Sequence, residues 1–315
     1  MVLQLNELLK VAGFTESEVK AVHDGTLINR TRESSSDREL ACQLAFLVKA
    51  PPERLQTVFL KSPQKKNFDP NVQEVGTMEG EGSLQDFDRV KLGDFYKTYL
   101  KAAPGSDLNL SSGEIHAFQA MGKRANQVQV EAQFRQTLLD RFRAYRAGGL
   151  DGILPYTRKG SVDFFPGKEL HHQIEVAAIL KQHSPRFHKY VLEYPKHKPE
   201  GATESFFWMT SLIDDKPTVV LYHHIGMQEG DLFVYLERHF YVSRSHNSVQ
   251  GIGGAFPVKD GTIMVYVTRT STDQVSGFGS AAKRGIGARM MMGRQAENFE
   301  RARTLPNVAD LHIKK

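Results

Sequence analysis

GTIMVYVTRT at 261–270, STDQVSGFGS at 271–280 and AAKRGIGARMMMGRQAENFERAR at 281–303 decide the reading of the fold. The first segment alternates β-branched and aromatic residues as a strand does, the second is a glycine-bearing link, and the third is a long helix. At 100° per residue, Ala281, Gly285, Ala288, Met292, Ala296 and Phe299 fall in one arc of about 80°. The early members of that arc are small and the later ones large. Such a helix is expected to press its first turns against a sheet, or to leave room for something between them.

Gly277-Phe278-Gly279-Ser280-Ala281-Ala282 fits G-x-G-x-x-G/A between strand and helix, the dinucleotide fingerprint. That fingerprint needs a further parallel strand after the helix, and only LPNVADLHIKK follows, so a nucleotide site is rejected. Lys283, Arg294 and Arg301 share the side opposite the apolar arc. They make peripheral contact with an anionic membrane a secondary expectation beside the ordinary reading, a solvated face.

Upstream of 261 the chain turns at short intervals. ATESFFWMTSLI, TVVLYHHIGM, DLFVYLERHFYVSR and GAFPV are separated by Asp214-Asp215-Lys216-Pro217, Glu229-Gly230 and other polar turns, which predicts an antiparallel meander. Nearer the start, ELACQLAFLVK at 39–49 reads as a long strand with Leu40, Cys42, Leu44, Phe46 and Val48 on one face; Ala41, Ala45 and Leu47 make the other largely apolar too. Pro51-Pro52 opens a short helix, PERLQTVFL. VQEVGTM is an edge strand, and residues 3–25 form two short helices, the second opened by a capping box at Thr15–Glu18.

From about 94 to 195 the pattern is mainly helical. Ser111 to Glu114 is another capping box, Phe134, Leu138, Phe142 and Tyr145 form a stripe on a helix over 125–147, and one further helix is expected from Lys168 to Gln182. Ser184-Pro185 is expected to cap the next. The whole chain, 1–315, is read as a single α+β domain: a sheet and helix from 39–92 and 200–303, with 94–195 as a helical insertion.

Composition limits the function classes. The chain has 315 residues, 40% hydrophobic and 24% charged, as in an ordinary globular protein, with a net charge of +5. No apolar run approaches the roughly 20 residues of a membrane-spanning helix. Basic residues are dispersed, which argues against nucleic acid as a partner. Cys42 is the only cysteine, so an intramolecular disulfide and a cysteine-rich zinc site are excluded. MVLQLNELLKVAGF lacks the features of a signal peptide, giving a cytoplasmic expectation; if Met1 replaces the start of a longer precursor, a periplasmic or exported location is expected instead.

The strand over 231–243 carries the sharper signal. Leu232, Val234, Leu236, Arg238, Phe240 and Val242 share one face; Phe233, Tyr235, Glu237, His239 and Tyr241 share the other. Neighbouring strands add Tyr222 and His224, then Met264, Tyr266 and Thr268. An aromatic face with a few polar groups is what an apolar ligand pocket uses, and also what a packed core uses. The candidate ligand-binding residues are therefore Tyr222, His224, Tyr235, Glu237, His239, Met264 and Tyr266. Glu237 and His239 are also the weak catalytic candidates, since two residues apart on a strand point the same way. Adjacent His223 and His224 point to opposite faces, so at most one can join His239; no metal site and no cofactor are expected.

The order strand, APPERL helix, helical region, meander and long last strand with C-terminal helix resembles the START/polyketide-cyclase superfamily, the helix-grip fold. LACQLAFLVKAPPERLQTVFL at 40–60 and GTIMVYVTRTSTDQVSGFGSAAKRGIGARMM at 261–291 carry it. RAYRAGGLDGILPY at 143–156 and RHFYVSRSHNSVQ at 238–250 look more closely like a group of uncharacterised bacterial proteins, many of which read as exported. The resemblance implies a curved antiparallel sheet gripping the last helix, with a hydrophobic cavity between strands 203–270 and helix 280–303, partly roofed by 94–195. The leading expectation is a binding protein for a lipid or other hydrophobic small molecule. The rivals are a cyclase or dehydratase using Glu237 and His239, and a protein-interaction module working through the insertion.

Overall fold

Eight antiparallel strands form the centre of the molecule, in the order β1-β2-β10-β9-β8-β7-β6-β3. They are β1 (Ile28–Thr31), β2 (Glu39–Val48), β3 (Val72–Met78), β6 (Thr203–Ile213), β7 (Lys216–Glu229), β8 (Leu232–Val242), β9 (Ser248–Val258) and β10 (Gly261–Ser271). A separate ladder joins β4 (Tyr156–Arg158) to β5 (Val162–Phe164). Among the described residues the helices longer than one turn are α1 (Val2–Val11), α2 (Glu16–His23), α3 (Ser112–Ala120), α4 (Gln127–Gly148), α5 (Pro166–Glu175), α6 (Ala178–His183), α7 (Pro185–Glu193) and α8 (Ser280–Thr304). This computed structural model describes residues 2–55, 66, 69–277 and 279–304, with side chains from Leu5 to Arg301. The helix expected over PERLQTVFL begins as a turn at 52–55, and its remainder lies outside the described residues. No helix among the described residues is long and apolar enough to cross a membrane.

The class is thus α+β, a large curved antiparallel sheet with a long C-terminal helix and a helical insertion. Local chemistry sets the element ends. The Thr15–Glu18 and Ser111–Glu114 capping boxes both form, satisfying backbone N–H groups that a helix start leaves unpaired. Asn126 makes a third with Gln129 at the head of α4, and Gly149, at φ 59°, ends that helix. Residues 168–182 are not one helix: the chain breaks at Val176–Ala177 between α5 and α6.

The two sheet faces have different partners. Leu40, Cys42, Phe46, Tyr266, Thr268 and Thr270 meet α8, through Cys42–Gln295, Thr268–Gln295 and the Phe46–Phe299 and Tyr266–Phe299 ring pairs. The other face carries Phe206, Leu221, His223, Leu236 and Phe240, and it is covered by the insertion. Towards β2 and β10 the same face is covered by α1 and α2. The helices of 94–195 therefore do not roof the space beside α8; they lie across the sheet from it.

Two expectations about side-chain direction are corrected. Between Leu221 and Tyr222 the β7–β8 register shifts, so Tyr222 pairs with His239 and Leu221 with Tyr241. The bulge puts Phe240 and Tyr241 both on the insertion side, where Tyr145 stacks on Phe240 at 4.2 Å and the Arg141 guanidinium sits over Tyr241 at 4.3 Å. Val242 then joins Tyr222 and Phe207 on the α8 side. On α8 itself, Ala281 and Gly285 are exposed, while the contact seam runs through Gly287, Ala288, Met291, Gln295 and Phe299. The apolar wheel misplaces this seam because one of its best contacts is polar: Gln295 accepts from the Cys42 thiol and donates to the Thr268 hydroxyl. Burial raises the Cys42 thiol pKa to about 12, which makes it an inert packing group.

A Cβ on Gly287 would lie 3.1 Å from both Leu40 methyls, whereas one on Gly285 would meet nothing within 4 Å. Gly287→Leu is therefore expected to destabilise the protein by about 1–3 kcal/mol through overpacking against β2. Gly285→Ala is expected to stabilise it by about 0.5–1 kcal/mol through helix propensity. Urea unfolding of both variants checks the assignment, and equal effects would refute it.

Candidate functional site

All seven candidate residues lie on the α8 side of the sheet, as the period-2 pattern requires. They form two groups. Tyr235 and Tyr266 stack at 5.6 Å with 8° between their planes, beside Met264 and against Phe299 of α8. The strand between them accommodates this by having no side chains there. A Cβ on Gly253 would fall 2.1 Å from the Tyr235 ring, and one on Gly251 would fall 1.8 Å from the Tyr266 hydroxyl. The glycines of VQGIGGAF are thus the floor on which the two rings rest.

The second group is polar. His224 Nε2 lies 3.0 Å from one Glu237 oxygen, and His239 Nε2 lies 2.9 Å from the other. One carboxylate thus spans two imidazoles, each ring placed to donate to its own oxygen. Tyr222 lies 5.2 Å from the His224 ring and 5.8 Å from that of His239, with Phe207 stacked on Tyr222. Among the described residues no group of three or more His, Cys, Asp or Glu side chains is arranged to hold a metal ion. As alternation predicts, His223 points the other way.

An open pocket of about 300 Å³ lies on the opposite face, and none of the seven residues lines it. Its floor is the sheet: Val234 of β8, Ile252 and Gly254 of β9, Val265 and Val267 of β10. Its walls are α1, through Leu8, and the α5–α6 break, through Ala177 and Ile179. Exposed Val11 and Val176, unusual for large apolar side chains, stand among the residues that line it. Gln43, Arg32, Arg269, Gln250, His183 and Ser184 are its polar members.

Gln250 is held from behind by a buried network. Arg238, 0% exposed, donates from Nε to Gln250 Oε1 at 2.9 Å, from Nη1 to the Tyr145 hydroxyl at 3.1 Å and from Nη2 to the Val191 carbonyl at 2.8 Å. Arginine can only donate, so Tyr145 accepts from it and passes its own proton toward His223 Nδ1, 2.9 Å away. That leaves His223 Nε2–H for Glu204, 3.1 Å away on the far side. Burial lowers the His223 pKa to about 4, in spite of the Glu204 hydrogen bond. Burial alone would raise Glu204, but hydrogen bonds and charge from His223 and Lys198 outweigh it and hold the carboxyl at about 2.

Sequence reasoning found the aromatic face and missed the pocket. A signal was present: Gln43 interrupts the Ala41, Ala45, Leu47 face of β2 with a polar side chain, and Arg269 follows Val265 and Val267 on the facing run of β10.

No family model and no curated protein matches the chain. Among solved structures it overlaps a STAR-related lipid transfer protein from Xanthomonas axonopodis, over 88% of this chain and 93% of that one, at 8% identity and a TM-score of 0.38. A superposition that loose carries no argument about fold or ligand, and the site is judged on its own geometry.

Neutral His223 has a clear pH consequence. Its folded pKa is depressed below the ordinary 6.5, so its contribution to stability is present above pH 6.5 and is lost as pH falls toward 4. Unfolding free energies from urea titrations across that window are expected to fall by up to about 3 kcal/mol from this residue. His223→Gln should flatten the slope; an unchanged slope would show that His223 does not titrate in this way.

Proposed function

We propose that the chain binds a hydrophobic small molecule or lipid in the pocket between α1, the α5–α6 break and the β8–β10 face. The observation that supports it is the pocket itself: about 300 Å³, with an apolar floor and exposed valines on its walls. That volume is at the lower end of small-molecule sites, roughly 300–1,000 Å³, and suits a slim apolar chain rather than a broad ring system. The sheet face beside α8, where a cavity is expected from the family resemblance, instead has its rings packed on one another. There Tyr222, His224, Tyr235, Glu237, His239, Met264 and Tyr266 serve in this proposal as the rigid backing of the strands that make the pocket floor.

A second reading, acid–base chemistry at Glu237 and His239, is favoured by one observation, the carboxylate held between two imidazoles at hydrogen-bond distance. It requires a substrate to reach that cluster.

The binding proposal is tested by extracting freshly purified protein with organic solvent and by native mass spectrometry after exposure to a lipid mixture. Wild-type protein is expected to capture an apolar ligand. Val267→Trp, which fills the pocket from its half-buried floor, is expected to weaken capture at least about tenfold, equivalent to about 1.4 kcal/mol. No capture by wild type, or equal capture by a folded Val267→Trp variant, would defeat the proposal.

A further inference from the structure

Strand register gives the pocket a direction. On its floor Val265 pairs with Gly254, Val267 with Ile252, and Arg269 with Gln250. On the β2 side, Val267 pairs with Gln43 and Arg269 with Ala41. Each step of two residues advances about 7 Å along the strands, so the floor passes from a wholly apolar rung to a polar one within the length of a short alkyl chain.

Three groups at the polar end lack partners that an empty apolar pocket could provide. Gln43, 1% exposed, donates from Nε2 to the Ala12 carbonyl at 3.1 Å, while its Oε1 is buried without a hydrogen bond. Ser184 is also 1% exposed; it sits at the start of α7 but does not cap it, and its Oγ has no partner. Arg32 is half-buried, and its described hydrogen bond is to the same Ala12 carbonyl at 3.2 Å, so Arg32 and Gln43 converge on one point. Neighbouring cations are already paired, Arg269 with Glu39 and Arg30 with Glu18. Arg32 forms no ion pair among the described residues. Burial first, then the charges of Arg269 and Arg30, lower its pKa, against a smaller opposing effect of Glu33.

A hydrocarbon laid against these groups would leave them unsatisfied, at a cost for each buried polar atom. A hydrated polar head would not: a water of its hydration shell can donate to Gln43 Oε1, which needs a donor, the Ser184 hydroxyl can donate to the head, and Arg32, with no ion pair among the described residues, favours a negative charge. We propose that the ligand is a single-chain amphiphile with an anionic head, seated with the head at Arg32 and Ser184, a water of its hydration shell donating to Gln43, and the chain toward Val265 and Gly254. The inference rests on the hydrophobic-pocket reading and adds the head group to it.

The test is calorimetric titration of the delipidated full chain with decanoate, decyl phosphate and decanol at neutral pH. Decanoate is expected to bind about tenfold or more tighter than decanol, the range of one charge-assisted hydrogen bond. Arg32→Gln is expected to bring that ratio close to one, and Arg32→Lys, which keeps the charge, to retain a preference for the acid. Decanol binding as tightly as decanoate would overturn the anionic head and leave the apolar pocket standing. Decyl phosphate binding more tightly than decanoate would name the head as a phosphate rather than a carboxylate, still anionic and still dependent on Arg32. A decanoate preference unchanged in folded Arg32→Gln would overturn the role of Arg32. Binding of none of the three would defeat the pocket reading and this inference together.

Discussion

A guanidinium buried in a sheet is expensive unless its N–H groups find acceptors, and Arg238 organises the molecule around that requirement. Its three acceptors come from three places: Gln250 on the next strand, the Tyr145 hydroxyl on α4 and the Val191 carbonyl on α7. The insertion therefore does more than cover apolar surface. It supplies the groups that make the charge tolerable, and the charge in turn fixes where α4 and α7 sit. His223 and Glu204 continue the network to the surface at Lys198, so a positive charge inside is matched by a carboxylate three hydrogen bonds away.

That docking separates the faces of the sheet into two kinds of surface. Beside α8 the rings of Tyr235 and Tyr266 lie flat over a strand stripped to glycine, and Glu237 binds an imidazole on either side. On the other face the same strand presents Ile252 and Gly254 to an open space. One strand thus gives close packing to one side and a smooth floor to the other, which is why β9 carries so many glycines.

Much of this architecture was legible in the sequence, because it depends on local chemistry. Polar turns delimit the meander, Thr15–Glu18 and Ser111–Glu114 cap their helices, and adjacent His223 and His224 must diverge. What was not legible depends on long-range geometry. The bulge opposite Leu221 reverses the alternation after His239, and no local pattern announces it. The α8 seam includes Gln295, which an apolar wheel scores against. Both faces of β8 are apolar enough to be buried, so its pattern identifies an interior strand without saying which side holds the open space.

The position of that space follows from the break at Val176–Ala177. Had 168–182 continued as one helix, its apolar stripe of Leu170, Ile174 and Ala177 would have run on across the sheet. Instead Leu170 and Ile174 are fully buried in the insertion core, and after the break α6 starts again with Ile179 and Leu180 directed at the pocket. A second interruption follows α6 at Ser184, where Pro185 starts α7 without using the serine hydroxyl as its cap. The helix stop that opens the pocket and the uncapped serine that leaves a polar atom inside it are therefore two interruptions of one helical segment, at either end of α6. The apolar space and its polar end share a cause in the path of a few residues between α5 and α7.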